Sequence, residues 1–392
     1  MVTESRMASM LGENDLDVLV AATPENVFHS SGMHCIATSR FGEAGYSVWS
    51  RSMGGPYLVM PARETSSLVD MDVDPKGVFP YGKTNIYLSD SLSATDQRIH
   101  RLQNERDFDD PIPALAAAIS ELADGPRVGI ERSGFEPEEY EALERRVSDR
   151  QLIPADEQFY SLREVKTDAE IERLRTSAAI TERSMQEAME RLEPGMTERD
   201  LANEFRARVC EKGGRPLFLT VGFGTRTAYT HPIPGDREIE DGDLVRWDAG
   251  CTYENYCSDV GRTFAYGSAS DEHERKYEAL YAGLEAALSE LQDGSGTDTV
   301  YEAGVDAVRS SGVDAFDEFS PFHLGHGIGV EIYDTPTIVP DGGTIRENMV
   351  MCIEPPYNEL GSGGFLIEDE VVVTDDGYEK LTDAAASLPI VN

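Results

Sequence analysis

Apolar positions in the first 155 residues fall into short blocks with two different periods. Leu16-Asp17-Val18-Leu19-Val20-Ala21-Ala22 is an apolar run of strand length, and Tyr57-Leu58-Val59-Met60 and Arg127-Val128-Gly129-Ile130 are two more. Helical spacing appears over residues 7–14 and over Ile112–Leu122, which follows Pro111, a favoured first-turn residue. Strands alternating with helices predict a mixed α/β sheet for residues 6–155. The pattern changes at Val165. Residues 168–193 form a long, charged, amphipathic stretch carrying Ile171, Leu174, Ala178, Ile180 and Met185. Gly195 ends it, and Thr197-Glu198-Arg199-Asp200 reads as the cap of a following helix. Residues 216–267 are strand-rich, 271–312 helical and 320–380 strand-rich again. No repeat at solenoid periods and no low-complexity linker is visible. A chain of 392 residues with one such change of pattern reads as two domains, which we place at 1–158 and 159–392.

Charge adds a statement about environment. There are 34 Lys+Arg against 73 Asp+Glu, a formal net charge of −39. A field of this sign repels nucleic acid and anionic membrane surfaces, so neither is an expected partner. Disorder is not implied, because 40% of residues are apolar, with 16 Tyr and 14 Phe spread along the chain. Only six of the basic residues are Lys, and the acids are distributed rather than blocked. An acid-rich, Lys-poor surface predicts a protein working in high salt, where the Debye length shrinks to about 3 Å near 1 M. No signal peptide and no apolar run of membrane-spanning length is seen. The five cysteines (Cys35, Cys210, Cys251, Cys257, Cys352) form no C-x-x-C pair, so we expect reduced thiols in the cytoplasm, all five buried as small apolar side chains.

Most of the acids read as solvated surface, but some sit inside apolar or Gly-rich strands, where an unpaired charge is costly. Asp248 lies in Val245-Arg246-Trp247-Asp248-Ala249-Gly250 and Asp259 in Ser258-Asp259-Val260-Gly261-Arg262. In a hairpin folded near Tyr253-Glu254 the two would lie directly opposite, with Cβ atoms about 4.5–5.5 Å apart. Glu354 in Cys352-Ile353-Glu354-Pro355 and Glu368 in Leu366-Ile367-Glu368-Asp369 repeat the arrangement about Gly361, in Gly361-Ser362-Gly363-Gly364. Between the two pairs stands His326, in Leu324-Gly325-His326-Gly327-Ile328-Gly329, whose glycines admit close backbone approach. Four carboxylates and one imidazole suit two divalent cations about 3.5–4 Å apart.

The set Asp248, Asp259, His326, Glu354, Glu368 resembles the ligand signature of the pita-bread metallopeptidases: methionine aminopeptidase, Xaa-Pro aminopeptidase, prolidase and creatinase. Residues 165–392 resemble the catalytic domain throughout. The first part, with Thr23-Pro24-Glu25-Asn26-Val27, resembles the N-terminal domain of the creatinase and Xaa-Pro peptidase branch. The resemblance implies an α+β chain: a C-terminal pita-bread domain behind an N-terminal α/β creatinase-type domain. It implies two divalent ions, Mn²⁺ foremost, with Co²⁺, Zn²⁺ and Fe²⁺ as alternatives. Asp259 and Glu368 would bridge them, Asp248 would complete one position, and His326 with Glu354 the other. A metal-bridging hydroxide would then cleave the amide before proline in dipeptides or short peptides. Glu354 would pass the proton of the attacking water to the leaving nitrogen, and His231, in Tyr229-Thr230-His231-Pro232, would face the substrate near the leaving group. Family members of this length are commonly homodimers.

Three substrate-facing positions depart from the family. A second catalytic His is expected seven residues after His326, where Tyr333 stands; its hydroxyl can donate to an oxyanion but cannot change charge near neutral pH. The His expected four residues before His326 is Phe322, and His323 comes one later, which on a strand would point it to the opposite face unless a bulge intervened. The Arg expected two residues before the last ligand is Leu366. Two alternatives therefore stand beside Xaa-Pro hydrolysis: a hydrolase or lyase of the same fold acting on a small osmolyte-like molecule, and a non-catalytic binding member of the family.

Overall fold

The computed structural model describes residues 2–392, which divide into one unit ending at Arg163 and a second running from Glu164 to Asn392. Among these residues no helix is long and apolar enough to cross a membrane.

The first unit is built on a six-stranded mixed sheet. Its strands are β1 (Val18–Ala21), β2 (Tyr46–Ser50), β3 (Gly54–Pro61), β4 (Gly77–Tyr81), β5 (Arg127–Ile130) and β6 (Gln151–Pro154), in the order β4-β3-β2-β1-β5-β6. The three strands expected from the apolar runs are β1, β3 and β5; β2, β4 and β6 join them. Side chains alternate between two cores. Val18 and Val20 pack with Val48, Val59 and the helix Pro111–Leu122, whereas Leu19 and Ala21 pack with Met7, Leu11 and Phe159 on the other face. The helix Pro24–Ser31 begins on the Thr23 cap and ends at Gly32, whose φ of 78° only glycine adopts without cost. Buried Glu131 accepts hydrogen bonds from Ala22 N, Thr23 N, Thr23 Oγ1 and Asn26 Nδ2, so this carboxylate is matched at the helix start.

The second unit holds two sheets, each backed by a pair of helices. The first sheet contains β7 (Arg215–Phe223), β8 (Leu244–Tyr253), β9 (Tyr256–Cys257) and β10 (Val260–Tyr266). Its helices are Asp168–Met189 and Glu198–Glu211, the second opened by the predicted Thr197–Asp200 capping box. The second sheet contains β11 (Gly325–Gly327), β12 (Asp334–Thr337), β13 (Val350–Ile353), β16 (Asp369–Val373) and β17 (Tyr378–Lys380), and is backed by Asp271–Ser289 and Thr297–Arg309. A two-stranded ribbon of β14 (Tyr357–Glu359) and β15 (Gly363–Phe365) links β13 to β16, and β18 (Ile390–Val391) closes on β10.

Strand alternation aims the polar side chains. Val245, Trp247 and Ala249 of β8 pack on the first helix pair, which turns Arg246 and Asp248 the other way. Met351, Ile353, Val371 and Val373 pack on the second pair, which turns Cys352 and Glu370 the other way and, by the same parity, Glu354 and Glu368. Arg262, buried and charged, braces the junction of the sheets. Its Nη1 donates to Gly261 O and to Glu368 O, and its Nη2 to Asp369 Oδ1 at 2.9 Å.

Candidate metal centre

The first pair of acids comes from the β8–β10 hairpin, in a register different from the expected one. The turn is Glu254-Asn255, both with positive φ (47° and 66°), and Tyr253 pairs with Tyr256. Gly261, not Asp259, therefore faces Asp248. Asp259 sits on the diagonal of Asp248, on the same face, where Cβ atoms are about 7–8 Å apart and carboxylates still meet. The expected direct opposition placed the turn one residue early. A glycine-free turn with Asn in the left-handed region left no strong marker of its position. The second pair follows the expected register. Glu359↔Gly363 and Tyr357↔Phe365 lead to Ile353↔Asp369, with Glu354 and Glu368 at corresponding positions in the break of the ladder. There Glu354 N donates to Leu324 O and Glu368 N to Gly261 O, each at 3.0 Å.

These elements bring the four acids and the imidazole together. One oxygen each of Asp248, Asp259 and Glu368 lie within 4.8 Å of one another, and a second group of the same span joins His326, Cys352 and Glu368. His326 Nε2 is 3.7 Å from Asp259 Oδ2 and 3.8 Å from Glu354 Oε1. Its Nδ1 lies 3.0 Å from Gly327 O, which accepts the ring N–H and leaves Nε2 with a free lone pair. Gly325 makes this possible: with φ at 142°, a Cβ there would fall on Cys352 O.

The electrostatics call for positive charge. Burial, followed by the facing acids, pushes the Asp259 and Glu368 carboxyls well above the usual range. Burial and then Asp248 push Glu354 up to about 8. Asp248 is also raised by burial, against the opposing charges of Arg246 and His231. The His326 imidazole is lowered to about 4 by burial and is neutral. Asp259 Oδ1, Glu368 Oε1 and His326 Nε2 are buried and lack a hydrogen-bond partner among the described residues. Orphaned oxygen and imidazole acceptors facing one another fit divalent cations, and no protein donor substitutes for them.

The other expected site residues flank this centre. The Tyr333 ring lies 4.0 Å from the His326 ring, and its phenol is held protonated by burial and by Glu354 and Asp259. His231 is exposed on the loop before β8, at the Asp248 end. His323 corrects an expectation. Residues 321–324 lie outside any strand, so alternation does not apply. His323 turns inward, its Nδ1 accepting from Gly325 N at 3.2 Å and standing 3.5 Å from Glu354 Oε1, while Phe322 is 91% exposed. Leu366 is buried beside Gly261 and offers nothing to a substrate. Of the cysteines, Cys210 is exposed on its helix rather than buried; the other four are buried.

Sequence reasoning missed Arg246 and Glu370. Arg246 is buried two residues before Asp248, and its Nη1 holds Thr227 O, Tyr229 O and Asn358 Oδ1 at 2.8–3.1 Å, tying the His231 loop to the β14 ribbon. Its signal was a charge at an inward position of β8, the same signal that singled out Asp248. Glu370 Oε1 accepts from Asp259 N at 2.7 Å and so fixes the backbone that carries Asp259.

Residues 172–375 match metallopeptidase family M24, and residues 5–165 match the creatinase/prolidase N-terminal domain. The chain belongs to the M24 metallopeptidases, with the pita-bread catalytic fold behind a creatinase-type N-terminal domain. It is 28% identical over 271 residues to an uncharacterized peptidase, YqhT, of Bacillus subtilis, a match covering 67% of this chain and 76% of that protein. Among solved structures, the X-Pro aminopeptidase of Thermotoga maritima aligns over 100% of both chains with a TM-score of 0.80 and 24% identity. The dipeptidase PepE of Mycobacterium ulcerans aligns over 99% of this chain and 96% of its own, with a TM-score of 0.78 and 26% identity.

Proposed function

We propose that this metallopeptidase uses two divalent cations to hydrolyse the amide bond before proline in dipeptides or short peptides. The observation that carries the reading is the pair of donor groups meeting at Glu368, one lined by Asp248 and Asp259 and one by His326. Asp259, Glu368, Asp248, His326 and Glu354 would hold the ions, and the oxygen-rich donor set favours Mn²⁺. When bound, such an ion pair supplies Lewis acidity and a nucleophile near neutral pH. The chain's own groups do the rest. Glu354, close to both His323 and His326, takes the proton of the attacking water and returns it to the leaving nitrogen. Tyr333, protonated and beside His326, donates to the developing oxyanion. His231 contacts the substrate at the Asp248 end, on a loop anchored by Arg246.

The substrate-facing positions favour a second reading. With Leu366 buried and Tyr333 in place of a second titrating side chain, the same centre serves a small osmolyte-like amide. We further propose a homodimer in the cytoplasm of a cell with high internal salt; the five free thiols agree with a reducing compartment. The test is an activity screen in molar salt with Mn²⁺, Co²⁺ or Zn²⁺, offering Xaa-Pro dipeptides, longer Xaa-Pro peptides and small amide osmolytes. Turnover of proline peptides is expected; turnover of an osmolyte alone reverses the order of the two readings. Asp259→Asn should abolish metal-dependent activity, and its retention would refute the bridging role.

A further inference from the structure

One group on the wall of the centre has no part in the hydrolytic scheme. Cys352 is fully buried at an inward position of β13, paired with His326 on β11 and with Glu370 on β16. Its thiol makes one long hydrogen bond, 4.0 Å from Sγ to Asp259 O. Sγ lies within 4.8 Å of the ligand atoms of His326 and Glu368. Those two side chains are themselves buried, and His326 Nε2 and Glu368 Oε1 have no hydrogen-bond partner among the described residues.

The two donor groups that meet at Glu368 differ in chemistry. Asp248, Asp259 and Glu368 offer oxygen only, which suits a hard cation. His326, Cys352 and Glu368 offer nitrogen, sulfur and oxygen, which suits a thiophilic one. Zinc–sulfur and zinc–nitrogen bonds are roughly 2.3 and 2.0 Å, so side-chain shifts of about 1 Å would close the three donors on one ion. We propose that His326, Cys352 and Glu368 form a binding position for a thiophilic divalent cation, Zn²⁺ or Cd²⁺. The position rests on the reading of this centre as a metal site and adds to it a preference at one end. On binding, the Sγ–H bond breaks, the proton passes to solvent, and the sulfur keeps the electron pair it donates to the cation. No oxidation or reduction is involved.

The experiment is titration of the metal-free, full-length protein with Cd²⁺ alone, followed by ultraviolet absorbance. The expected result is a sulfur-to-cadmium charge-transfer band that saturates at one thiolate per chain. It should be lost in Cys352→Ser and kept in Cys210→Ser, which removes the exposed thiol. A band that survives in Cys352→Ser, or no band in the native protein, overturns the proposal. X-ray absorption of the Zn²⁺-loaded native protein gives a test free of folding defects: one sulfur neighbour per chain, averaged over the zinc ions bound, is expected, and a purely nitrogen–oxygen environment overturns it. The two readings fail separately. Absence of Xaa-Pro turnover with Mn²⁺ leaves the cadmium band in place, whereas absence of the band with Mn²⁺ turnover intact removes the thiolate position only.

Discussion

At the scale of single residues, the centre is defined by groups that the fold leaves unmatched. Asp259, Glu368 and Glu354 bind their protons more tightly in the folded chain than in the unfolded one, because burial and mutual repulsion disfavour the anions. The sign of the consequence follows from linkage. A carboxyl with a raised folded pKa contributes stability that is complete below its unfolded value, about 4.3 for Glu, and is lost as pH rises through the folded value, about 8 for Glu354. Without metal, native protein should therefore lose melting temperature relative to Glu354→Gln between those two pH values. Saturating Mn²⁺ should remove the difference. Parallel profiles for the two metal-free proteins would contradict the assignment. Asp248, Asp259, Glu354 and Glu368 were legible in sequence because each is a charge among apolar strand residues. Arg246 carries the same mark but reads as a routine surface cation until its three acceptors are in view. His323 was misread because strand alternation was applied to residues that form no strand.

At the scale of elements, register decides which side chains meet. The β13–β16 connection was legible because glycines mark its reversal, with Gly361 at φ 91°. The β8–β10 connection was displaced because Glu254-Asn255 carries no comparable mark. Both hairpins still deliver their acids to one face, since the error left strand parity unchanged. Their meeting depends on Gly261. A Cβ at this position would overlap Leu366 Cγ and come within 3.0 Å of Glu368 Cβ. Gly261→Ala should cost about 1–3 kcal/mol in denaturant unfolding and weaken metal binding by displacing Glu368. Leu366→Ala in the same chain should recover part of both losses, because the two changes share one space. Strictly additive effects would show that the contact is not what limits the residue at 261.

At the scale of the whole molecule, the net charge of −39 is distributed against very few lysines. Lys76, Lys166, Lys212, Lys276 and Lys380 each face a carboxylate: Glu4, Asp334, Glu187, Glu359 and Glu285 respectively. Five of the six lysines thus stand where they neutralise an acid. Repulsion among the remaining acids should destabilise the fold at low ionic strength, with screening restored near 1 M, where the Debye length is about 3 Å. Melting temperature should rise from low to molar KCl, and equal values would remove the case for a high-salt habitat. The architecture was legible at this scale from the change of period at Val165. The six-stranded order of the first sheet was not, because an apolar run marks a strand without naming its neighbours, and β2 is interrupted by serines.

The division of donors between two sheets has a kinetic consequence. Asp248 and Asp259 belong to the β8–β10 hairpin, His326 to β11 and Glu354 to the end of β13, while Glu368 leaves the second sheet to bond Gly261 of the first. Ions shared among them would cross-link the two sheets, beside the Arg262 brace and the Thr263–Leu366 and Asp259–Glu370 hydrogen bonds that already join them. Ion loss should then speed up when the junction is disturbed, and a chelator chase unchanged in Gly261→Ala would show that the ions leave without the sheets parting. Retention of a metal would then be a property of the fold rather than of any one ligand.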